Sequence, residues 1–184
     1  MSKNPTKVIT GKDTLWSYAH VWEPYSFGGS PEKYSICLVI PKSDTQTIDK
    51  IKTGIKAAYE EGITKLKGNS KTAPALSAIH IPLRDGDTER PDDPVLKNCY
   101  FINASSKEAP GIVDAARQPI LDKSEVYSGC KGRASISFWA YNTNGNRGIG
   151  VSLNNLQKIS DGTPLNGRVK AEDDFADEDD DFLS

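Results

Sequence analysis

Cysteine and histidine are scarce in this 184-residue sequence. Cys37, Cys99 and Cys130 stand far apart with no C-x-x-C pair, and His20 and His80 are the only histidines. An odd, scattered set argues against a disulfide framework, and with two histidines it does not give the ligand spacing of a closed zinc site. Cys37 and Cys99 sit inside apolar runs and read as small buried hydrophobes. No eighteen consecutive residues are apolar, and the opening MSKNPTKVITGKDTLWSYAH holds no run resembling a signal peptide. The expectation is a soluble protein that stays in the cytoplasm and does not engage a membrane. The P-loop, G-x-S-x-G and H-E-x-x-H signatures are missing as well, so neither catalysis nor a cofactor finds support in a motif.

The sequence is rich in something its net charge of −2 conceals. Residues 171–184, AEDDFADEDDDFLS, carry eight of the 25 acids (Glu172, Asp173, Asp174, Asp177, Glu178, Asp179, Asp180 and Asp181) and no base. The 17 remaining acids face 23 bases in residues 1–170, a body with six excess positive charges. This divides the chain into a folded domain over 1–170 and an acidic tail over 171–184. The tail cannot bury enough apolar surface to order itself, so disorder is expected.

The most informative stretch is GCKGRASISFWAYNTNGNRGIGVSLNN, residues 129–155. Asn144-Gly145 between alternating runs predicts a hairpin, because both residues tolerate positive φ. Alternation puts Ala134, Ile136, Phe138 and Ala140 on a core face, and Arg133, Ser135, Ser137, Trp139 and Tyr141 on the other. On the returning strand Gly148, Gly150, Ser152 and Asn154 form a floor of mostly small residues beside those aromatics. Strand glycines often mark close approach of a ligand or another backbone. With Lys131, Arg133 and Arg147 near, this makes a groove suited to an anionic polymer with flat rings. The competing reading is that Trp139 and Tyr141 pack under a loop or a second sheet.

Elsewhere, residues 8–22 read as one strand in which Leu15, Ala19 and Val21 oppose Trp16, Tyr18, His20 and Trp22. KYSICLVI (33–40) is another strand, closed by Pro41. Ser43 and Gln46 have capping-box spacing, and Ile48, Ile51, Ile55, Ala58, Tyr59, Ile63 and Leu66 recur at helical period. Short strands are expected at 78–83, 98–104, 111–115 and 156–160. Many short strands, Gly/Pro-rich turns and one long amphipathic helix predict a mainly β protein, an OB-fold-like small β-barrel.

Thirteen of the fifteen aromatics lie in the body, many beside bases. Single-strand binders need that mixture, with Lys and Arg meeting phosphates and unstacked bases lying on rings. Trp139 and Tyr141, with Trp16, Tyr18 and Trp22 as second candidates, are the expected stacking residues. Lys33, Lys107, Arg117, Lys131, Arg133 and Arg147 are the expected phosphate contacts. The tail acids, with Phe175 and Phe182, would compete with nucleic acid for the basic groove and offer a handle to partner proteins. The tail's simpler reading is a solubilising segment. Two rivals remain: a metal-dependent nuclease using Asp85, Asp87 and Asp92, and a protein-interaction module whose tail mimics DNA.

The runs KYSICLVIPKSDTQTI, PLRDGDTERPDDP, YFINASSK, RQPI, YSGCKGRASISFWAYNTNGNRGIGVSLNN and AEDDF, in this order, resemble the bacteriophage single-stranded-DNA-binding proteins long known only as a domain of unknown function. The resemblance covers essentially the whole chain. It implies an OB-fold with an acidic tail that regulates DNA binding and recruits phage or host replication proteins, in the cytoplasm of an infected bacterium. It implies single-stranded DNA as partner, with roles in replication, recombination and repair, and leaves a homodimer open. It brings no residue-level DNA contacts. One departure from the commonest OB plan is a long helix after the second strand instead of between the third and fourth.

Overall fold

Asn144 and Gly145 adopt φ of 53° and 84°, the two positive values that a tight hairpin loop requires. They join β7 (Lys131–Thr143) to β8 (Asn146–Ser160), paired along nearly their whole length. The computed structural model describes residues 5–26, 28–29 and 31–165. Its other strands are β1 (Lys7–Ile9), β2 (Leu15–Tyr25), β3 (Lys33–Pro41), β4 (Arg84–Asp85), β5 (Cys99–Ser106) and β6 (Gly111–Val113). Its helices are α1 (Thr45–Glu61), α2 (Ile63–Lys67) and the single turn α3 (Gly86–Glu89).

The pairings run from β7 to β2, β3, β5 and β8, and from β8 back to β7, so five strands close a ring. Counted along the chain, these strands follow the circuit 1-2-3-5-4-1. Every contact is antiparallel except that between the third and fifth, where Ser105 of β5 meets Ser152 of β8. This is the OB arrangement expected from the sequence. Strand β1 flanks β7, β6 flanks β8 and β4 flanks β5. Helix α1 follows β3, the second ring strand, so the departure read from the sequence is real.

Inside the ring lie Trp16, Ile36, Leu38, Ile40, Ile102, Ile136 and Leu156, all at most 1% exposed. Ile48, Ile51, Ile55 and Ala58 of α1 extend this core over β7. Strand β3 is buried on both faces, because Cys37 and Val39 meet Leu96 and Phe101 in a second cluster outside the ring. A strand covered on both sides loses alternation, which explains the unbroken run Ile36–Ile40.

Several local expectations need correction. The helix cap is Asp44, whose carboxylate accepts from the Thr47 amide at 3.2 Å and the Thr47 hydroxyl at 2.7 Å; Ser43 and Gln46 form no capping box. Gly62 separates α1 from α2, which leaves Ile63 exposed. Residues 8–22 form two strands, split by the turn in which the Thr14 amide bonds to the Gly11 carbonyl. Residues 78–83 form no strand; Leu76–Ala78 is a turn of 3-10 helix, and only His80 makes a bridge, to Gly148. Residues 156–160 are the end of β8.

Candidate nucleic-acid interface

The outward face of β7 and β8 presents the residues that alternation assigns to it. Trp139 stands opposite Gly150 and Tyr141 opposite Gly148. A Cβ on Gly150 would lie 2.5–2.8 Å from three indole atoms of Trp139, and one on Gly148 would lie 2.5 Å from the Tyr141 hydroxyl oxygen. Each ring therefore rests against bare backbone. The Trp139 indole N–H donates to Ser152 Oγ at 2.9 Å, which fixes the ring, yet the residue remains 46% exposed. The two rings tilt at 59° with centroids 5.8 Å apart. A packed-away role for Trp139 does not fit that exposure.

Beside this platform the register assembles a row that no single segment reveals. Lys7 of β1 pairs with Ser137 of β7, Ser137 with Ser152 of β8, Ser152 with Ser105 of β5, Ser105 with Ser35 of β3, and Ser35 with His20 of β2. Four serines thus cross four strands at one level, between a lysine and a histidine whose ring stacks on Tyr25 at 4.4 Å. Asn154 joins the row by donating to Ser137 Oγ at 3.0 Å. Small hydroxyl side chains leave a lane between taller neighbours. Along β7, Trp139 and Tyr141 lie on one side of Ser137 and Arg133 on the other. Lys33 and Lys107, two positions beyond Ser35 and Ser105, lie on the Arg133 side by the same register. Arg117 belongs to that side too: Gln157, register partner of Arg133, donates to the carbonyls of Asp114 and Ala115 in the turn that carries Arg117. Lys131 is exposed at the far end of β7, six residues from the serine row.

Three expected contacts stand elsewhere. Trp16 is fully buried, and its indole N–H donates to the Gly132 carbonyl at 3.2 Å, so it cannot stack a base. The cause is an irregularity between Ser17 and His20, with Tyr18 at φ 47°, which reverses the alternation so that Trp16 and Val21 both point inward. Trp22 packs on the core and donates to the Val126 carbonyl at 3.3 Å, acting as a strut. Tyr18, put out by the irregularity, is 62% exposed. Arg147 pairs with Asn142, one step out of phase with Tyr141, and reaches Ser70 instead of the aromatic platform.

The carboxylate loop has partners of its own. Lys42 bridges Asp85 and Asp87 at 2.9 and 2.8 Å, and Asp87 also accepts from the Asn98 amide. These bonds, Lys42 foremost, hold both carboxyls below the usual carboxylate range. Among the described residues no group of three acids, histidines or cysteines is placed to hold a metal ion. Burial pushes the Cys37 thiol up to about 11, as suits a hydrophobe rather than a nucleophile.

Sequence reasoning missed Lys7, His20 with Tyr25, and the serine row. Each serine sits at an outward position readable from alternation, but the parallel β5–β8 contact that aligns them is invisible in one dimension. The tail residues Glu172, Asp173, Asp174, Phe175, Asp177, Glu178, Asp179, Asp180, Asp181 and Phe182 lie outside the described residues.

Known proteins resemble the chain in sequence and in fold. The chain is 31% identical over 158 residues to protein p50 of Acyrthosiphon pisum secondary endosymbiont phage 1, a match spanning 82% of each. Its structure resembles that of the single-stranded DNA-binding protein from bacteriophage Enc34 in complex with ssDNA, with TM-score 0.72, 26% identity, and 87% of this chain and 89% of that one covered. It shares its fold with gp2.5, a single-stranded DNA-binding protein encoded by bacteriophage T7, at TM-score 0.60 and 18% identity over 94% and 93% of the two chains. The model of the family described as Enterobacter phage Enc34, ssDNA-binding protein, matches residues 6–183, and the chain belongs to that family.

Proposed function

We propose that this protein coats single-stranded DNA without regard to sequence during phage DNA replication, recombination and repair, in the cytoplasm of the infected host and without catalysing a reaction. The observation that carries this reading is the Trp139 ring held against Gly150 beside a row of serines, with Arg133, Lys107 and Lys33 across the row. Bases stack on Trp139 and Tyr141, and phosphates run along the basic side. Ring stacking reads no base edge, which is why such binding tolerates every sequence. The row winds round six strands, a contour of roughly 24 Å at ~4.8 Å per gap. Tyr18 and Lys131 serve together where β2 meets the start of β7, and Arg117 at the margin of the face. Residues 1–170 form the binding domain, and the tail over 171–184 competes with DNA and recruits partner proteins.

Fluorescence anisotropy with labelled oligo-dT and a duplex of equal length, titrated with salt, tests this. Tight single-strand binding that weakens steadily with salt, with quenched tryptophan emission, is expected. Truncation after Lys170 should raise affinity at low salt. Absence of binding by both full-length and truncated protein would refute the reading.

A further inference from the structure

Beyond Tyr141, at the tip of the hairpin, the surface folds into a cleft of about 310 Å³ walled by Pro74, Ser77, His80, Asn146 and Arg147. His80 forms a parallel bridge with Gly148, its amide donating to the Arg147 carbonyl at 3.1 Å and its carbonyl accepting from the Ile149 amide at 2.9 Å. A Cβ on Gly148 would touch both the Tyr141 hydroxyl and His80 Cβ, so the ring and the cleft wall meet over one glycine. Arg147 supplies the cleft's fixed positive charge. One terminal nitrogen donates to Ser70 Oγ at 3.1 Å, whereas its Nε is buried and has no hydrogen-bond partner among the described residues. The enclosed Nε is closed to a ligand, so a phosphate oxygen in the cleft would meet the terminal N–H groups of the fork. The neighbouring surface is basic: the Lys65 carbonyl accepts from Asn142, the register partner of Arg147, and Lys67 and Lys71 are exposed on the same connection.

We infer that this cleft is a phosphate subsite that continues the single-strand path past Tyr141, with Arg147 as its anion-binding residue and His80 as the wall that turns the backbone into it. The inference rests on the function proposed above. It moves Arg147 from the phosphate edge beside Trp139 to a separate station one step further along the strand.

Oligo-dT of increasing length, bound to wild type, Arg147→Gln and Arg147→Lys, provides the test. Short oligomers that occupy only the Trp139–Tyr141 platform should bind all three proteins equally, with the same tryptophan quenching, which also shows that the variants are folded. Longer oligomers should bind Arg147→Gln several-fold more weakly, and its salt slope should fall by about 0.7, the value of one single-strand phosphate. Arg147→Lys should keep the slope while losing part of the affinity, because an ammonium replaces the charge but not the fork. Equal binding of long oligomers by wild type and Arg147→Gln would overturn the subsite, as would an equal loss at every length, which marks a distorted hairpin. Failure of wild type to bind any length would remove the function itself.

Discussion

Gly54 of helix α1 lies so close to Phe138 of β7 that a methyl group on it would stand 2.9 Å from the ring Cδ2, with Val8 Cγ2 also at 2.9 Å on another side. Alanine is the better helix former by about 1 kcal/mol, so propensity alone favours Gly54→Ala. Crowding a packed core costs about 1–3 kcal/mol. The substitution should therefore lower the melting temperature, and a calorimetric scan showing a rise would contradict this seating of the helix.

The same close approach occurs functionally at Gly150. Gly150→Ala puts a methyl group where the Trp139 indole lies, lifting the ring from its place and from its bond to Ser152. Affinity for oligo-dT should fall by up to the worth of a stacked base, about 1–3 kcal/mol, although no charge or aromatic group is removed. Trp139→Ala should cost a similar amount, and the double variant little more than either. Additive losses measured by anisotropy would show that Gly150 acts independently of the ring.

Acid should find the Lys42 bridge. Asp85 and Asp87 have carboxyls depressed by Lys42, so they stabilise the fold above the ordinary carboxylate pKa of about 3.9 and lose that contribution as pH falls through their lower folded values. Urea titrations across pH 2–7 should show Lys42→Met weaker than wild type at neutral pH, with the gap closing towards the acid end. A gap constant across that range would mean that Lys42 stabilises by packing on Tyr100, where its ammonium lies 5.4 Å from the ring centre.

How much of this was legible in one dimension depends on where regularity holds. Strand β7 alternates without a break, so Trp139, Tyr141 and Arg133 could be assigned to one face and the small floor of β8 placed beneath them. Strand β2 does not: the irregularity at Tyr18 reverses its parity, and a reading by twos sends Trp16 outward when it is a core residue. Arg147 follows the alternation faithfully and was misplaced only by nearness in sequence to Gly148. The serine row needed the pairing of four strands, which local patterns do not encode.

The parallel contact between Ser105 and Ser152, with the tie of Trp16 to Gly132 across 116 residues, also bears on how the protein is made. The tie needs the start of β7 and the parallel contact needs β8, so from the completion of β5 at Ser106 until those strands arrive a chain emerging from the ribosome carries β2, β3 and β5 as an unclosed sheet. Its apolar strands are then at their most vulnerable to pairing with a neighbouring nascent chain. Yield during rapid expression should therefore be limited by the arrival of the final hairpin more than by the stability of the finished ring.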